Sequence, residues 1–195
     1  MSRRFPSRPD VLIAFLSLGL LSPVAACGPS DAEAAAEAAA AMAWEETSEA
    51  GMILMAGLAE AAETDRMVLL HSGAPWCGWC KRLEDWLVRE DIQPIFSKDF
   101  IPVRIDVEEE EMGGGEPLMH SYNGGSGGVP WLAILNPDGS VVVTSDDPDR
   151  GNIGSPRAEW EIEHWNVMMR TAARRITEEE ILYMAETWAE DRPEG

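Results

Sequence analysis

Lysine is almost missing from this chain: Lys81 and Lys98 stand against thirteen arginines, and 15 basic residues face 35 acidic ones. A formal charge of −20 argues against nucleic acid or an anionic membrane surface as a partner, because both carry the same sign. We read the excess as a solvated acidic surface. The shortage of lysine itself locates no site. Histidine and cysteine are equally sparse, at His71, His120 and His164 and at Cys27, Cys77 and Cys80. A closed zinc site needs four ligands, commonly from two separated pairs. The chain has one close cysteine pair and no second, so no metal and no bound cofactor are expected. The stretch Asn123-Gly124-Gly125-Ser126-Gly127-Gly128 lacks the Gly-Lys-Ser/Thr ending of a phosphate-binding loop. No internal repeat is visible.

Long apolar runs are absent too. The longest near the start, Val11 to Leu21, follows Arg3, Arg4 and Arg8 and precedes small residues. It is too short to span a bilayer comfortably and fits a secretory signal better. At its end, Val24-Ala25-Ala26-Cys27 resembles the lipobox of bacterial lipoproteins, in which cleavage before the cysteine leaves an acylated first residue. Ordinary cleavage around Ala25-Ala26 with an unmodified Cys27 is the plain alternative. Residues 1–26 are therefore expected to be a lipoprotein signal, and 27–43, rich in Ala and Glu, a spacer without an apolar stripe. Residues 44–195 form the expected folded domain. With 45% hydrophobic residues and eight tryptophans, the chain supplies one well-buried core.

Within that domain the pattern alternates between helix and strand. Met52, Met55, Leu58, Ala59 and Ala62 recur at helical spacing and are expected to face the core. Met67-Val68-Leu69-Leu70 reads as a buried strand. Leu83, Trp86 and Leu87 extend the face of Cys80 along an amphipathic helix, and Pro94 lies beyond its end. A strand is expected near Phe100 to Val107, with pairing beginning only after Pro102. Glu108 to Glu111 read as an acidic loop and Glu116 to Tyr122 as a short helix. Trp131 to Leu135, the turn Asn136-Pro137-Asp138-Gly139 and Ser140 to Thr144 form a β-hairpin. A loop from Ser145 to Pro156 leads to two helical stretches, one carrying Trp160, Ile162, Trp165, Val167, Met168 and Met169. The other opens at Thr177 and carries Ile181, Leu182, Met184, Ala185 and Trp188.

The chemistry gathers at Trp76-Cys77-Gly78-Trp79-Cys80-Lys81, between a strand and a helix. Cysteines at i and i+3 on a first helical turn are close enough to open and close a disulfide with little rearrangement. A thiolate at Cys77 would face the positive dipole end of the helix, which lowers its pKa. Cys77 is the candidate nucleophile and Cys80 the resolving thiol. A static disulfide, or half of a metal site in a binding module, remains the alternative.

Strand, Trp-Cys-x-x-Cys-Lys, then Val129-Pro130 before a hairpin and closing helix: this order resembles the thioredoxin superfamily, from about Gly51 to the C-terminal helix. More narrowly the chain looks like bacterial envelope proteins that carry such a domain behind a lipoprotein signal. The resemblance implies an α/β fold, a central mixed sheet flanked by helices, here with an extra C-terminal helical stretch. It also implies a cis Val129–Pro130 bond beside the disulfide, with Trp76, Val129 and Pro130 lining a groove where a substrate peptide adds as a strand. The activity it implies is a thiol–disulfide oxidoreductase of the bacterial cell envelope, a monomer whose redox group is the Cys77–Cys80 disulfide. Its partners would be thiol or disulfide-containing envelope proteins, a separate redox partner, and the membrane through a lipid on Cys27.

Two positions depart from the family. Gly78-Trp79 replaces Gly-Pro between the cysteines. His71 stands where thioredoxins bury an aspartate that assists proton transfer, so a proton relay and a merely packed strand histidine are both open. Arg104 falls where a strand lysine is common, and as a neighbour it would disfavour protonated His71. The direction of electron flow stays open. For the N-terminus, palmitate labelling is expected to mark the wild type and to vanish in Cys27→Ala; an unlabelled wild type would refute the lipobox.

Overall fold

Met67–Gly73 is buried at every position, which only a strand flanked by strands and covered on both faces achieves. This strand, β1, pairs in parallel with β2 (Phe100–Asp106) and antiparallel with β3 (Trp131–Leu135), and β3 pairs antiparallel with β4 (Val141–Thr144). The mixed sheet has the order β2-β1-β3-β4. The computed structural model describes residues 48–108, 113–125 and 127–190. The signal, Cys27, the spacer and residues 109–111 of the acidic run lie outside them.

Helices cover both faces. On one lie α1 (Glu49–Thr64) and α4 (Gly115–Asn123); on the other lie α2 (Gly78–Leu87), the short α3 (Gln93–Phe96), α5 (Glu159–Ala172) and α6 (Glu178–Glu190). This is the expected thioredoxin-like architecture with added C-terminal helices. The hairpin follows its sequence signal, with a register shift at Ile134/Leu135. Among the described residues no helix is long and apolar enough to cross a membrane.

Three local expectations are corrected. The buried face of α1 is Ala50, Gly51, Leu54, Gly57, Leu58 and Ala61, whereas Met52 and Met55 are about half exposed. Both stripes have helical spacing, and the one with small residues wins because the helix lies close on β2: a Cβ at Gly57 would stand 2.3 Å from Val103 Cγ2. Pairing of β2 begins before Pro102, which is opposite Leu69. As an edge strand, β2 tolerates a proline whose missing N–H need not serve the ladder. The segment after Ser145 is more than a loop, since Asp146–Asp147 (β5) and Gly151–Asn152 (β6) pair as a small ribbon.

The C-terminal helices are fastened at two places. The carboxylate of buried Asp99 accepts the backbone N–H groups of Arg174, Arg175 and Ile176 at 2.7–2.9 Å. Trp188 of α6 stacks on Trp86 of α2 at 4.1 Å, Trp165 of α5 meets both edge-on, and the Trp86 indole donates to Thr187. Truncating a fully buried tryptophan costs about 3–5 kcal/mol. Trp188→Ala is therefore expected to lower urea stability by that amount, while Val167→Ala, at an exposed position, changes it by less than about 0.5 kcal/mol. Equal effects would show that α6 is not part of the core.

Candidate active site

The site forms where β1 hands over to α2. Ala74 to Trp76 make the turn, with the Cys77 N–H donating to the Ala74 carbonyl at 3.0 Å. Cys77 is the N-cap of α2, and its Sγ accepts the Cys80 N–H at 3.1 Å. The two sulfurs are bonded, with Cα atoms 5.3 Å apart. Cys80 is 1% exposed and Cys77 6%, so an approaching thiol meets Cys77 first. Gly73 makes this seating possible: a Cβ there would lie 3.2 Å from Cys80 Cβ and 3.4 Å from its Sγ.

The Val129–Pro130 peptide is cis, and the Val129 carbonyl oxygen lies 3.6 Å from Cys77 Sγ. A disulfide sulfur has no proton to donate, so this is a contact in the oxidised protein and becomes available to an S–H on reduction. The loop is held from the β5–β6 segment. Asn152 Nδ2 donates to the carbonyls of Gly128 and Pro130 at 3.1 and 2.9 Å, and the Trp131 indole donates to Asp146 at 2.7 Å. Gly154, at φ +52°, packs on Pro130, where a Cβ would come within 3.3 Å of its carbonyl oxygen.

The two tryptophans of the motif diverge. Trp79 lines a cleft of about 350 Å³ together with Val129, Pro130, Asn152, Ser155 and Arg157. Trp76, 68% exposed, is not part of that cleft, and its indole hydrogen-bonds to Glu108. Glu108 follows β2, whereas Asn152 is bonded to the residues just before β3, and β2 and β3 flank β1 on opposite sides, so Trp76 is tied toward the β2 side and Trp79 toward the β3 side. Arg82 donates to Ser155 Oγ and to the Pro156 carbonyl at 2.9 and 2.8 Å, and it lies over both Trp79 and Trp188. Sequence reasoning missed Asn152, Ser155 and Arg157. They come from a segment whose only signals were turn residues.

His71 and Arg104 are directly opposite each other on β1 and β2. His71 is 3% exposed, and its Nδ1 has no hydrogen-bond partner. Burial, and then the charge of Arg104, push its pKa down to about 4. Arg104 is bound to Glu84 of α2 at 2.7 Å and to Asp106 at 3.3 Å, so its positive charge is fixed. Its Nε stands 3.8 Å from the same point beside Gly73 that Cys80 Sγ approaches to 3.4 Å. His120 lies in α4, and His164 is buried in α5 with Nε2 3.0 Å from the Thr144 carbonyl oxygen, away from the disulfide.

Residues 51–137 match the protein family described as thioredoxin-like. The fold of the described residues is thioredoxin-like. No curated protein matches it. Among solved structures it is similar to a disulphide isomerase from Xylella fastidiosa Temecula1, at 29% identity over 51% of this chain and 76% of that one, TM-score 0.44. It is also similar to a thioredoxin from Thermus thermophilus, at 22% identity over 45% and 67%, TM-score 0.37. A third is the DsbD C-terminal domain of Neisseria meningitidis in its oxidised form, at 22% identity over 69% and 95%, TM-score 0.37.

The buried histidine has a measurable consequence. The folded thioredoxin-like domain keeps His71 neutral down to about pH 4, while an imidazole in the unfolded chain protonates near 6.5. On acidification the unfolded state takes the proton first. This stabilisation is full above about pH 6.5 and is lost as the pH falls toward 4. Urea midpoints should show a loss of about 2 kcal/mol between pH 7 and pH 5 that largely disappears in His71→Gln. An unchanged slope in that variant would mean that His71 titrates normally.

Proposed function

We propose that the chain is a thiol–disulfide oxidoreductase of the bacterial cell envelope that exchanges disulfides with protein substrates. The observation that carries this reading is the bonded Cys77–Cys80 pair at the tip of α2, with Cys77 the more exposed and the Val129 carbonyl beside it. A disulfide used only for stability would not need to cap a helix N-terminus with the wall of a cleft, at Val129, against one of its sulfurs.

In the reducing direction, Cys77 thiolate attacks one sulfur of a substrate disulfide. The substrate's other sulfur leaves as a thiolate and a mixed disulfide forms. Cys80 then attacks Cys77 Sγ, releasing the second substrate thiol and re-forming Cys77–Cys80. Two electrons pass from the dithiol to the substrate, and the reverse sequence oxidises a substrate dithiol. The first thiolate is favoured by the dipole and free N–H groups of α2, including that of Cys80. The second is favoured by the nearby charge of Arg104. A histidine with a pKa of about 4 is a weak acceptor for a thiol proton of ordinary pKa near 8.5. We therefore assign His71 a packing role and Arg104 the electrostatic one. Trp76, Val129 and Pro130 present the substrate-facing surface.

The envelope location rests on residues 1–27: the basic start, the short apolar run and the cysteine after Val24-Ala25-Ala26. A lipid on Cys27 would hold the domain at the membrane, where disulfide chemistry is sustained outside the reducing cytosol.

Insulin reduction with dithiothreitol as electron source tests the reading. The wild type is expected to precipitate the insulin B chain faster than dithiothreitol alone, and Cys77→Ser to match the reagent blank. Cys80→Ala should accumulate mixed disulfides that reductant dissolves. A wild type no faster than the blank would leave the non-catalytic binding module as the better reading.

A further inference from the structure

The charges around the disulfide are not evenly spread. On the β2 side stands Glu108, exposed and hydrogen-bonded to the Trp76 indole. On the β3 side stands Arg157, exposed, with its guanidinium 5.4 Å from the Trp79 ring centre. Arg157 makes no ion pair among the described residues. The other charged side chain lining that cleft is Glu161. Its Oε2 accepts the backbone N–H groups of Arg157 and Ala158, both at 2.7 Å, at the N-terminal end of α5. Amide donors and the helix dipole offset that negative charge. The guanidinium beside it has no such compensation.

We propose that the surface across Cys77 is a polarised peptide groove, taking an acidic side chain at Arg157 on the Trp79 side and a basic one at Glu108 on the Trp76 side. This deepens, and rests on, the oxidoreductase reading by naming its substrate class: segments with opposite charges flanking the exchanged cysteine. The backbone carbonyl of Val129 lies beside Cys77; in an extended segment running across it, the residues on either side of the central one share a face and are about 6.6 Å apart along the strand, so one lies nearer each rim. Trp79 and Trp76 supply flat apolar floors at those rims, and each holds its charged neighbour in place. A cation over an indole is oriented by the ring's negative face, and a carboxylate accepting an indole N–H is oriented by that bond.

The overall charge of −20 favours any basic peptide regardless of where its charges lie. A test must therefore hold net charge constant. The blocked peptides Ala-Asp-Ser-Lys-Ala and Ala-Lys-Ser-Asp-Ala have the same composition, and serine in place of cysteine prevents any redox step. Binding of each to the oxidised protein is read from the Trp79 and Trp76 indole N–H signals by NMR titration. One isomer is expected to bind about fivefold more tightly at low ionic strength, in keeping with partly exposed ion pairs, and the difference should shrink as salt is added.

In Arg157→Gln and in Glu108→Gln the preference is expected to weaken by about half on the free-energy scale, in Arg157→Glu, where both rims are acidic, to fall toward unity, and in the double variant Arg157→Glu/Glu108→Arg to invert. Wild-type affinities equal within error, absence of binding by either isomer, or a preference unchanged in Arg157→Glu would each overturn the proposal. Insulin turnover on the same preparations separates the two readings. Turnover without isomer preference removes the polarised groove alone, and preference without turnover removes the redox reading alone.

Discussion

The absence of a side chain at Gly73 is the constraint on which the site depends. With hydrogen there, the first turn of α2 comes down onto the end of β1 until Cys80 touches the strand. A methyl group at that point would crowd Cys80 Cβ and Sγ, and the turn would have to lift. Even a shift of a few tenths of an ångström would loosen the cluster that Ala74, Cys77 and Cys80 form with Val107 and Val129. The close seating of Cys80, the less exposed of the two sulfurs, thus depends on a glycine that takes no part in the chemistry.

Arginine does much of the joining in a chain with few lysines. Arg104 ties β2 to α2 through Glu84, Arg82 ties α2 to the segment before α5, and Arg175 bridges Asp65 and Asp99. The planar fork of a guanidinium makes several directed bonds at once, which suits junctions where three elements meet. Two guanidiniums, of Arg82 and Arg157, stand 5.8 and 5.4 Å from the ring centre of Trp79, which is 43% exposed at the rim of the cleft. The acidic surplus meanwhile stays on the outside.

What could be read from the sequence was what short stretches specify. The cysteine pair, Val129-Pro130 and the hairpin with its Asn-Pro-Asp-Gly turn carry their structure within a few residues, and all three are present as read. His71 and Arg104 were placed together by the alignment the resemblance implied, and the register puts them opposite. The face of α1 was misread because two stripes share the helical period, and burial favoured the small residues that permit close approach over the methionines. Pro102 was misread because its cost depends on whether β2 is an edge, which no local pattern states. Asn152, Arg157 and Glu108 escaped because their partners lie 22, 78 and 32 residues away in sequence; polar residues in turns give no sign of what they will reach.

The Asp99 carboxylate gives the C-terminal helices a mechanical meaning. It clasps the elbow between α5 and α6 at the end of the sheet where β1 and β2 begin, while Trp188 near the far end of α6 lies against Trp86 and under Arg82. Helix α6 is therefore a strut braced at one end on the base of the sheet and at the other on the helix that carries both cysteines. Helix α2 is already held by its core face and by the Arg104–Glu84 ion pair to β2, and the strut adds a further tie through Trp86. With it, the helix that carries both cysteines is coupled, through Trp188 and the length of α6, to the Asp99 carboxylate at the opposite end of the domain.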